Sequence, residues 1–197
     1  IMLFGQPTKP ISDFLPRLLA HIDGVDVDMA TTYLMDAAIQ FARESRVLRE
    51  ILCVELVPCQ TSYRVETKWR TAEVLTARLF SCGHQIPMDG FTYHVEDGVL
   101  YTREVKPREK LLLELEFATT PRRDEMLVPA FFYEDWVEAV VALALSRLYL
   151  QTDNQWYNQG AANTQMQIYQ QALRAARFSR ITKHKAFSMR LRNQRSS

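Results

Sequence analysis

The fold is decided by the stretch VPAFFYEDWVEAVVALALSRLYL, residues 128–150. Pro129 stands where the first turn of a helix would begin, a position at which its missing N–H is not needed. From Trp136 to Leu150 the sequence is apolar nearly all round, which is typical of a helix buried on every side. We predict a central helix over residues 129–152 and expect the neighbouring segments to pack around it.

On the C-terminal side, residues 153–160 interrupt the helical pattern, and a last helix is predicted over residues 159–178. Its apolar stripe recurs at spacings of three and four residues. The members of this stripe are Ala162, Met166, Tyr169, Leu173 and Ala176. Beyond this helix the chain is basic and carries no acid, so we predict an extended arm over residues 179–197.

On the N-terminal side, two helices are predicted over residues 12–22 and 28–48, with Gly24 ending the first. Asp26 and Asp28 supply an N-terminal cap and charges that favour the helix dipole for the second. An apolar stripe on the second helix faces a core. Its members are Leu34, Ala37, Ala38, Phe41 and Ala42.

Between these helices, residues 51–117 change to an alternating pattern that indicates β-strands. The strand candidates are residues 51–56, 63–65, 74–80, 91–95, 99–101 and 111–117. The dipeptide Asp97-Gly98 fits a two-residue type I′ hairpin turn, in which both residues need a positive φ. The order of elements predicts an α+β fold that is mainly α. We expect a helical bundle with a small antiparallel β insertion, forming one domain over residues 1–178, followed by the extended arm.

The composition is that of a globular protein. The chain has 197 residues, of which 47% are hydrophobic and 24% charged, enough for one sizeable core. No run reaches the roughly 18 apolar residues of a membrane helix, and the first ten residues lack the layout of a secretory signal. We therefore expect synthesis in the cytoplasm and no membrane partner. The three cysteines cannot all pair, so free thiols are expected.

Charge is divided unevenly along the chain. The net charge is +1, but residues 174–197 carry eight Lys and Arg and no acid, which leaves 16 basic against 23 acidic residues elsewhere. A basic segment suits nucleic acid or an acidic protein groove. Interleaved apolar residues, among them Phe178, Ile181 and Phe187, favour a protein partner, because phosphate binding alone does not need them. A solubilising tail without a partner is the alternative.

No spacing of reactive residues points to an enzyme. Cys53, Cys59, Cys82 and His84 come nearest to a metal set, but their spacings fall outside those of structural zinc sites. Inert cysteines buried as small apolar residues are the simpler interpretation. Cys82 and His84 also lack an evident third group to orient a nucleophile and its base, and the scattered glycines form no phosphate-binding loop. We expect no catalytic residue, metal or cofactor.

Three stretches of the sequence are informative because of the order in which they follow one another along the chain. FLPRLL at residues 14–19 leads through a turn to the alanine-rich AAIQFARES at residues 37–45. LVPCQTSY at residues 56–63 combines a strand, a proline-led turn and a tyrosine that starts the next strand. VPAFFYEDWVEAV and ALALSRL, within residues 128–148, then open a helix pair with Trp156 and Tyr169 downstream.

In this order the stretches resemble the head-to-tail adaptor, or connector and head-completion, proteins of tailed bacteriophages, particularly the short-tailed ones. The resemblance spans most of residues 12–178 and is weakest over residues 68–108. Cys59 stands where that family more usually has glycine.

The resemblance implies a structural virion protein at the neck, the head-to-tail interface. It implies a ring of usually twelve copies bound beneath the portal protein, which prolongs the channel for packaged DNA and offers a platform to a tail or nozzle protein. It also implies a C-terminal arm that docks onto the portal. The arm residues would be Arg174, Arg177, Phe178, Arg180, Ile181, Lys183, Lys185, Phe187, Arg190 and Arg192.

The β insertion would then face the tail, a hypothesis reached by exclusion because the bundle and the arm already have roles. Its hairpin residues are Tyr93, Asp97, Gly98 and Tyr101. Two other classes of function stay open at this point. One is a nucleic-acid-binding protein that grips phosphates with the basic tail, and the other is a hydrolase with paired carboxylates.

Overall fold

The computed structural model describes residues 7–106 and 110–193, with side chains through Ser179. After a 3-10 turn at Ile11–Phe14, the helices are α1 (Leu15–Leu19), α2 (Val27–Ser45), α3 (Ala130–Asp135), α4 (Val137–Leu148) and α5 (Gln159–Asn193). The strands are β1 (Thr8–Pro10), β2 (Arg49–Leu56), β3 (Ser62–Arg64), β4 (Arg70–Ser81), β5 (His84–Ile86), β6 (Tyr93–Glu96), β7 (Val99–Thr102), β8 (Leu111–Thr120) and β9 (Leu127–Pro129).

These elements form two compact units. The helical unit combines the described parts of residues 1–47 and 121–197, and the β unit is Leu48–Thr120. In the sequence, the β unit is therefore an insertion between α2 and the later helices. The short strands β1 and β9, which pair antiparallel, belong to the helical unit.

The core of the helical unit is built from α2, α4 and α5. Asp26 caps α2 as predicted, because its carboxylate accepts hydrogen bonds from the N–H groups of Asp28 and Met29, both at 3.0 Å. The predicted stripes are confirmed in two helices. Fully buried residues of α2 are Leu34, Ala37, Ala38, Phe41 and Ala42. Buried residues of α5 are Ala162, Tyr169, Leu173 and Ala176, whereas Met166 of the predicted stripe is only partly buried.

The β unit contains two antiparallel sheets with the strand orders β2-β8-β4-β5 and β3-β7-β6. β8 is an interior strand, and its alternating residues Leu113, Leu115 and Phe117 are buried in the apolar cluster of this unit. The predicted hairpin turn is confirmed. Asp97 and Gly98 join β6 to β7 and both have positive φ, 47° and 75°.

The prediction of a mainly helical bundle with a small β insertion is wrong. The protein is a mixed α/β structure, in which nine strands accompany the five α-helices among the described residues. The strand content was underestimated because β1, β5 and β9 were not predicted and because β4 runs over Arg70–Ser81, well beyond the predicted residues 74–80. Two register shifts in β4, between Thr71 and Glu73 and between Val74 and Thr76, disturb the strict alternation by which a strand is recognised.

The central helix is shorter and broken. Trp136 has φ −131° and ψ 15°, so it ends α3 and begins α4, and α4 stops at Leu148. The indole of Trp136 lies against Phe41 of α2, with ring centroids 5.6 Å apart. A single continuous helix over residues 129–152 is therefore not formed. The first two predicted helices also end early, at Leu19 and Ser45.

The extended arm is a further correction, because α5 continues without a break to Asn193. The predicted boundary at residue 178 lies inside this helix. The basic segment contains Arg, Lys, Ala, Leu and Met, which favour helix, and no proline or glycine interrupts it after Gly160. Its composition suggested disorder, but its helix propensity is high.

The cysteines are free, as expected, but the prediction that they are buried is wrong. Cys53, Cys59 and Cys82 are all exposed. Cys59 and Cys82 occupy turns with positive φ, 65° and 50°. Such backbone angles are strained for residues with a Cβ, which explains why a glycine would suit residue 59.

Replacing Cys59 by glycine is expected to raise the free energy of unfolding by about 0.5–1 kcal/mol. Relief of the left-handed strain outweighs the added freedom of the unfolded chain. Chemical denaturation of the two proteins measures the difference. Cys59→Ala is the matched control, because it removes the thiol and keeps the Cβ. Equal stability of the glycine and alanine variants would contradict the expectation.

Candidate interaction surfaces

α5 is tied to the rest of the helical unit by a polar network around Glu44. The Glu44 carboxylate accepts hydrogen bonds from Tyr169 Oη at 2.8 Å and from Gln40 Nε2 at 2.6 Å. Arg177 Nε donates to the backbone oxygen of Glu44 at 3.0 Å, and Arg147 donates to the Gln40 side chain. Because these residues come from α2, α4 and α5, the network fixes the orientation of α5.

Burial of the Tyr169 phenol, together with its hydrogen bond to the Glu44 carboxylate, raises the pKa of Tyr169 well above the usual value for tyrosine. A raised pKa in the folded state means that folding favours the protonated phenol. Its stabilising effect is therefore complete below the ordinary tyrosine pKa of about 10 and is lost as the pH rises above it.

The variant Tyr169→Phe is expected to be less stable than the natural protein by about 1 kcal/mol at neutral pH, the usual contribution of one hydrogen bond. Above about pH 10 this difference should shrink, because only the natural protein loses the phenol's contribution there. Urea unfolding from neutral pH upward measures both effects. Tyr157→Phe, at an exposed tyrosine, is the control. A stability gap that stays constant with pH would contradict the assignment.

The outer side of α5 carries the first residues of the predicted arm. Arg174 and Arg177 are exposed, and Phe178 has 71% of its surface exposed, the most of any large apolar residue described. Of these, Arg177 also has the structural contact with Glu44. The backbone of residues 177–193 is helical and about 25 Å long, at 1.5 Å per residue.

The remaining predicted arm residues lie on this helical backbone, but their side chains are outside the described residues. They are Arg180, Ile181, Lys183, Lys185, Phe187, Arg190 and Arg192. The backbone of the arm is therefore helical through Asn193, and Arg177 near its start is bound to Glu44 of α2.

The predicted tail-facing hairpin divides its residues between two faces. Tyr101 is exposed and stacks on His94, with centroids 4.8 Å apart and planes at 12°. Tyr93 pairs with Thr102 and packs against the apolar cluster of the β unit. Tyr93 therefore does not share a surface with Tyr101, whereas His94, which sequence reasoning missed, does. The two-residue turn already fixes this pairing, so the sequence held the signal.

The tip of the hairpin borders a cavity of about 370 Å³ within the β unit. Asp97 at the tip, Arg70 and Glu73 give the cavity charges of both signs, while Val74, Val95 and Phe117 line its apolar part. Among the described residues, no group of three or more His, Cys, Asp or Glu side chains could hold a metal ion. Asp97 and Gly98 therefore lie at the edge of a cavity that Arg70 also lines. The charged side chains there make this end of the hairpin suited to polar contacts.

The face of the larger sheet opposite the apolar cluster carries polar contacts that sequence reasoning did not find. Arg49 pairs with Glu116 at 2.5 Å, and Thr76 donates to the same carboxylate at 3.1 Å. Arg78 pairs with Glu114 at 3.1 Å. These contacts run across β2, β8 and β4, and strand alternation could have revealed them only once the pairing of the strands was known.

No helix in the described part of the chain is both long and apolar enough to cross a membrane. No model of a known protein family matches the sequence, and no curated protein is similar to it.

Proposed function

We propose that this protein is a structural component of a tailed bacteriophage, a ring-forming adaptor between the portal protein and the tail. The support is the order of the three sequence stretches that resemble such adaptors. In this proposal twelve or so copies surround the channel through which packaged DNA passes. The protein acts by binding other proteins at the virion neck, and no catalytic residue is assigned.

The structural observation that best supports the proposal is that α5 continues as a helix into the basic segment. The helix is anchored by Tyr169 and Arg177 and then enters a segment with basic and apolar residues and no acid. Arg174 and Phe178 are exposed and lie one turn apart on the same side of α5, an arrangement suited to a groove with apolar pockets and acidic rims. We assign this groove to the portal. The arm thus docks as a helix, which needs less ordering on binding than an extended chain would.

The outer face of the hairpin is assigned to the tail. Deletion of residues 91–101 would be a poor test, because it removes Phe91 and Leu100 from the core. The variant His94→Ala with Tyr101→Ala removes the exposed stacked pair and spares the buried face. We expect it to keep portal binding and to lose tail attachment, as measured by pull-down with each partner.

Leu112→Ala is the matched control for this experiment, since it truncates an exposed apolar residue on the other sheet of the β unit. It should bind both partners. If the hairpin variant loses the portal and keeps the tail protein, the two assignments are reversed and the hairpin hypothesis is refuted.

A second candidate function is nucleic-acid binding, favoured by the acid-free basic segment after Arg174. It predicts that log affinity for DNA falls with log salt concentration by about 0.9 for every phosphate contacted. An adaptor arm would instead bind the portal in preference to DNA. Titrations of labelled DNA at several salt concentrations separate the two functions.

A further inference from the structure

β2 is the outermost strand on one side of the larger sheet, and near its start the Glu50 carboxylate accepts hydrogen bonds from the N–H groups of Lys68 and Trp69, at 2.9 and 2.8 Å. Among the described residues β2 pairs with β8 alone, and the register is continuous from Arg49 to Leu56. An edge strand presents a row of backbone N–H and C=O groups that can pair with another chain. Eight residues in unbroken register make β2 a long edge for such pairing.

The opposite side of the sheet is protected in a way that β2 is not. β5 covers β4 only from Leu79 to Ser81, and the rest of β4 contains two register shifts. Bulges of this kind hinder pairing with another strand. β2 has no register shift, proline or lysine, all of which proteins use to block an edge.

Burial is also incomplete along β2. Leu52 and Val54 face the apolar cluster but stay partly exposed, whereas Leu113 and Leu115 beside them on β8 are fully buried. On the other face, Ile51 has 56% of its surface exposed. A further strand along this edge would cover apolar surface on both faces.

We propose that a second copy of this chain supplies that strand, with the two β2 strands antiparallel about a two-fold axis at Leu52. The strand reads R-E-I-L-C-V-E from residue 49 to residue 55. In this register Arg49 faces Glu55 of the second copy, and Ile51 faces Cys53 of the second copy. Two Arg–Glu pairs result, and no like charges face each other.

Two neighbouring registers also place residues of the same sheet face opposite each other, but they do not pair Arg49 with Glu55. With the axis at Ile51, Arg49 faces a cysteine, and with the axis at Cys53, Ile51 faces a glutamate. Arg49 already binds Glu116 within its own sheet. Its guanidinium has five N–H donors, so it can bind a second carboxylate as well.

This contact goes beyond the proposed adaptor function. A two-fold contact uses the same surface on both copies and closes at two, whereas neighbours in a ring use two different surfaces. The free protein is therefore a dimer through β2, and any ring contacts lie elsewhere on the chain.

Sedimentation velocity of the full chain at micromolar concentration tests the dimer. The natural protein is expected to be a dimer, and Ile51→Lys, which places a charge on the edge, is expected to be a monomer. Val57→Lys is the matched control, because Val57 is similarly exposed, at 48%, and lies just beyond the end of β2. It should remain dimeric.

Disulfide formation tests the register. With Cys59→Ser and Cys82→Ser in place, Ile51→Cys puts a thiol opposite Cys53 of the second copy, and mild oxidation should give a covalent dimer. The control carries Leu112→Cys and Cys53→Ser in the same background, which puts its one thiol on the same face but on β8. It should stay uncrosslinked.

A monomeric natural protein, a dimer that survives Ile51→Lys, or equal crosslinking of both cysteine variants would each overturn the inference. None of these results bears on portal binding. Conversely, a β2 dimer that ignores the portal would uphold this inference and reject the adaptor.

Discussion

Ending the chain after Ser179 is expected to weaken portal binding by more than about 100-fold. The truncation removes the basic and apolar residues beyond that position, and the loss of several anchor residues of an interface exceeds the roughly 2.7 kcal/mol that a 100-fold change requires. The fold should survive, because the buried residues of α5 end at Ala176 among those whose burial is described. Co-sedimentation with purified portal measures the affinity, and circular dichroism checks the fold.

Two further variants make this test specific. Arg174→Glu with Phe178→Ala changes two exposed residues of α5 and should reduce binding in the full-length chain. Alanine at Gln167 and Gln171, exposed residues of the same helix further from the arm, should leave binding unchanged. If the truncated chain binds the portal with full affinity, the arm is not the portal-binding segment.

Phe41→Ala is expected to lower the free energy of unfolding of the helical unit by about 3–5 kcal/mol, the usual cost of removing a buried phenylalanine. Phe41 has no exposed surface. Its ring contacts Phe132, Trp136 and Tyr169, at centroid distances of 5.6, 5.6 and 6.4 Å. Truncating Phe41 therefore leaves a cavity between α2, α3 and α5, next to Trp136 at the junction of α3 and α4.

Thermal and denaturant unfolding measure this loss, with Ile168→Ala as the control. Ile168 lies on the exposed side of α5, so its truncation should change stability by less than about 0.5 kcal/mol. A Phe41→Ala protein as stable as the control would mean that the aromatic cluster is not the core of the helical unit.

Features governed by local chemistry could be predicted from the sequence. Asp26 caps a helix because its side chain reaches the first free N–H groups. Asp97-Gly98 forms its turn because both residues tolerate positive φ. The burial of α4 follows from its apolar composition. Each of these depends on residues within a few positions of one another.

Features that depend on distant contacts could not be predicted. The break at Trp136 coincides with the packing of its indole on Phe41, far away in the sequence. The bulges of β4 depend on its pairing with β8. The helical form of residues 179–193 was not predicted, because their basic, acid-free composition is typical of disorder whereas their helix propensity favours a helix.

The sequence predicted the position and the turn of the hairpin, while the roles given to the hairpin and to the arm stay predictions. The hairpin lies where it was predicted, but Tyr93, which was named among its tail-facing residues, pairs with Thr102 and packs against the apolar cluster. His94 was missed although the predicted Asp97-Gly98 turn already implies that it pairs with Tyr101. The open edge of β2 also required the strand order.

The proposed adaptor function is tested most directly by electron microscopy of the purified chain, alone and mixed with the portal protein that is encoded beside it. If the chain is an adaptor, we expect rings stacked coaxially on the portals, and these rings should disappear when the chain ends after Ser179. Portals that stay bare while the chain binds DNA with a steep dependence on salt would contradict the adaptor function and favour a nucleic-acid-binding protein.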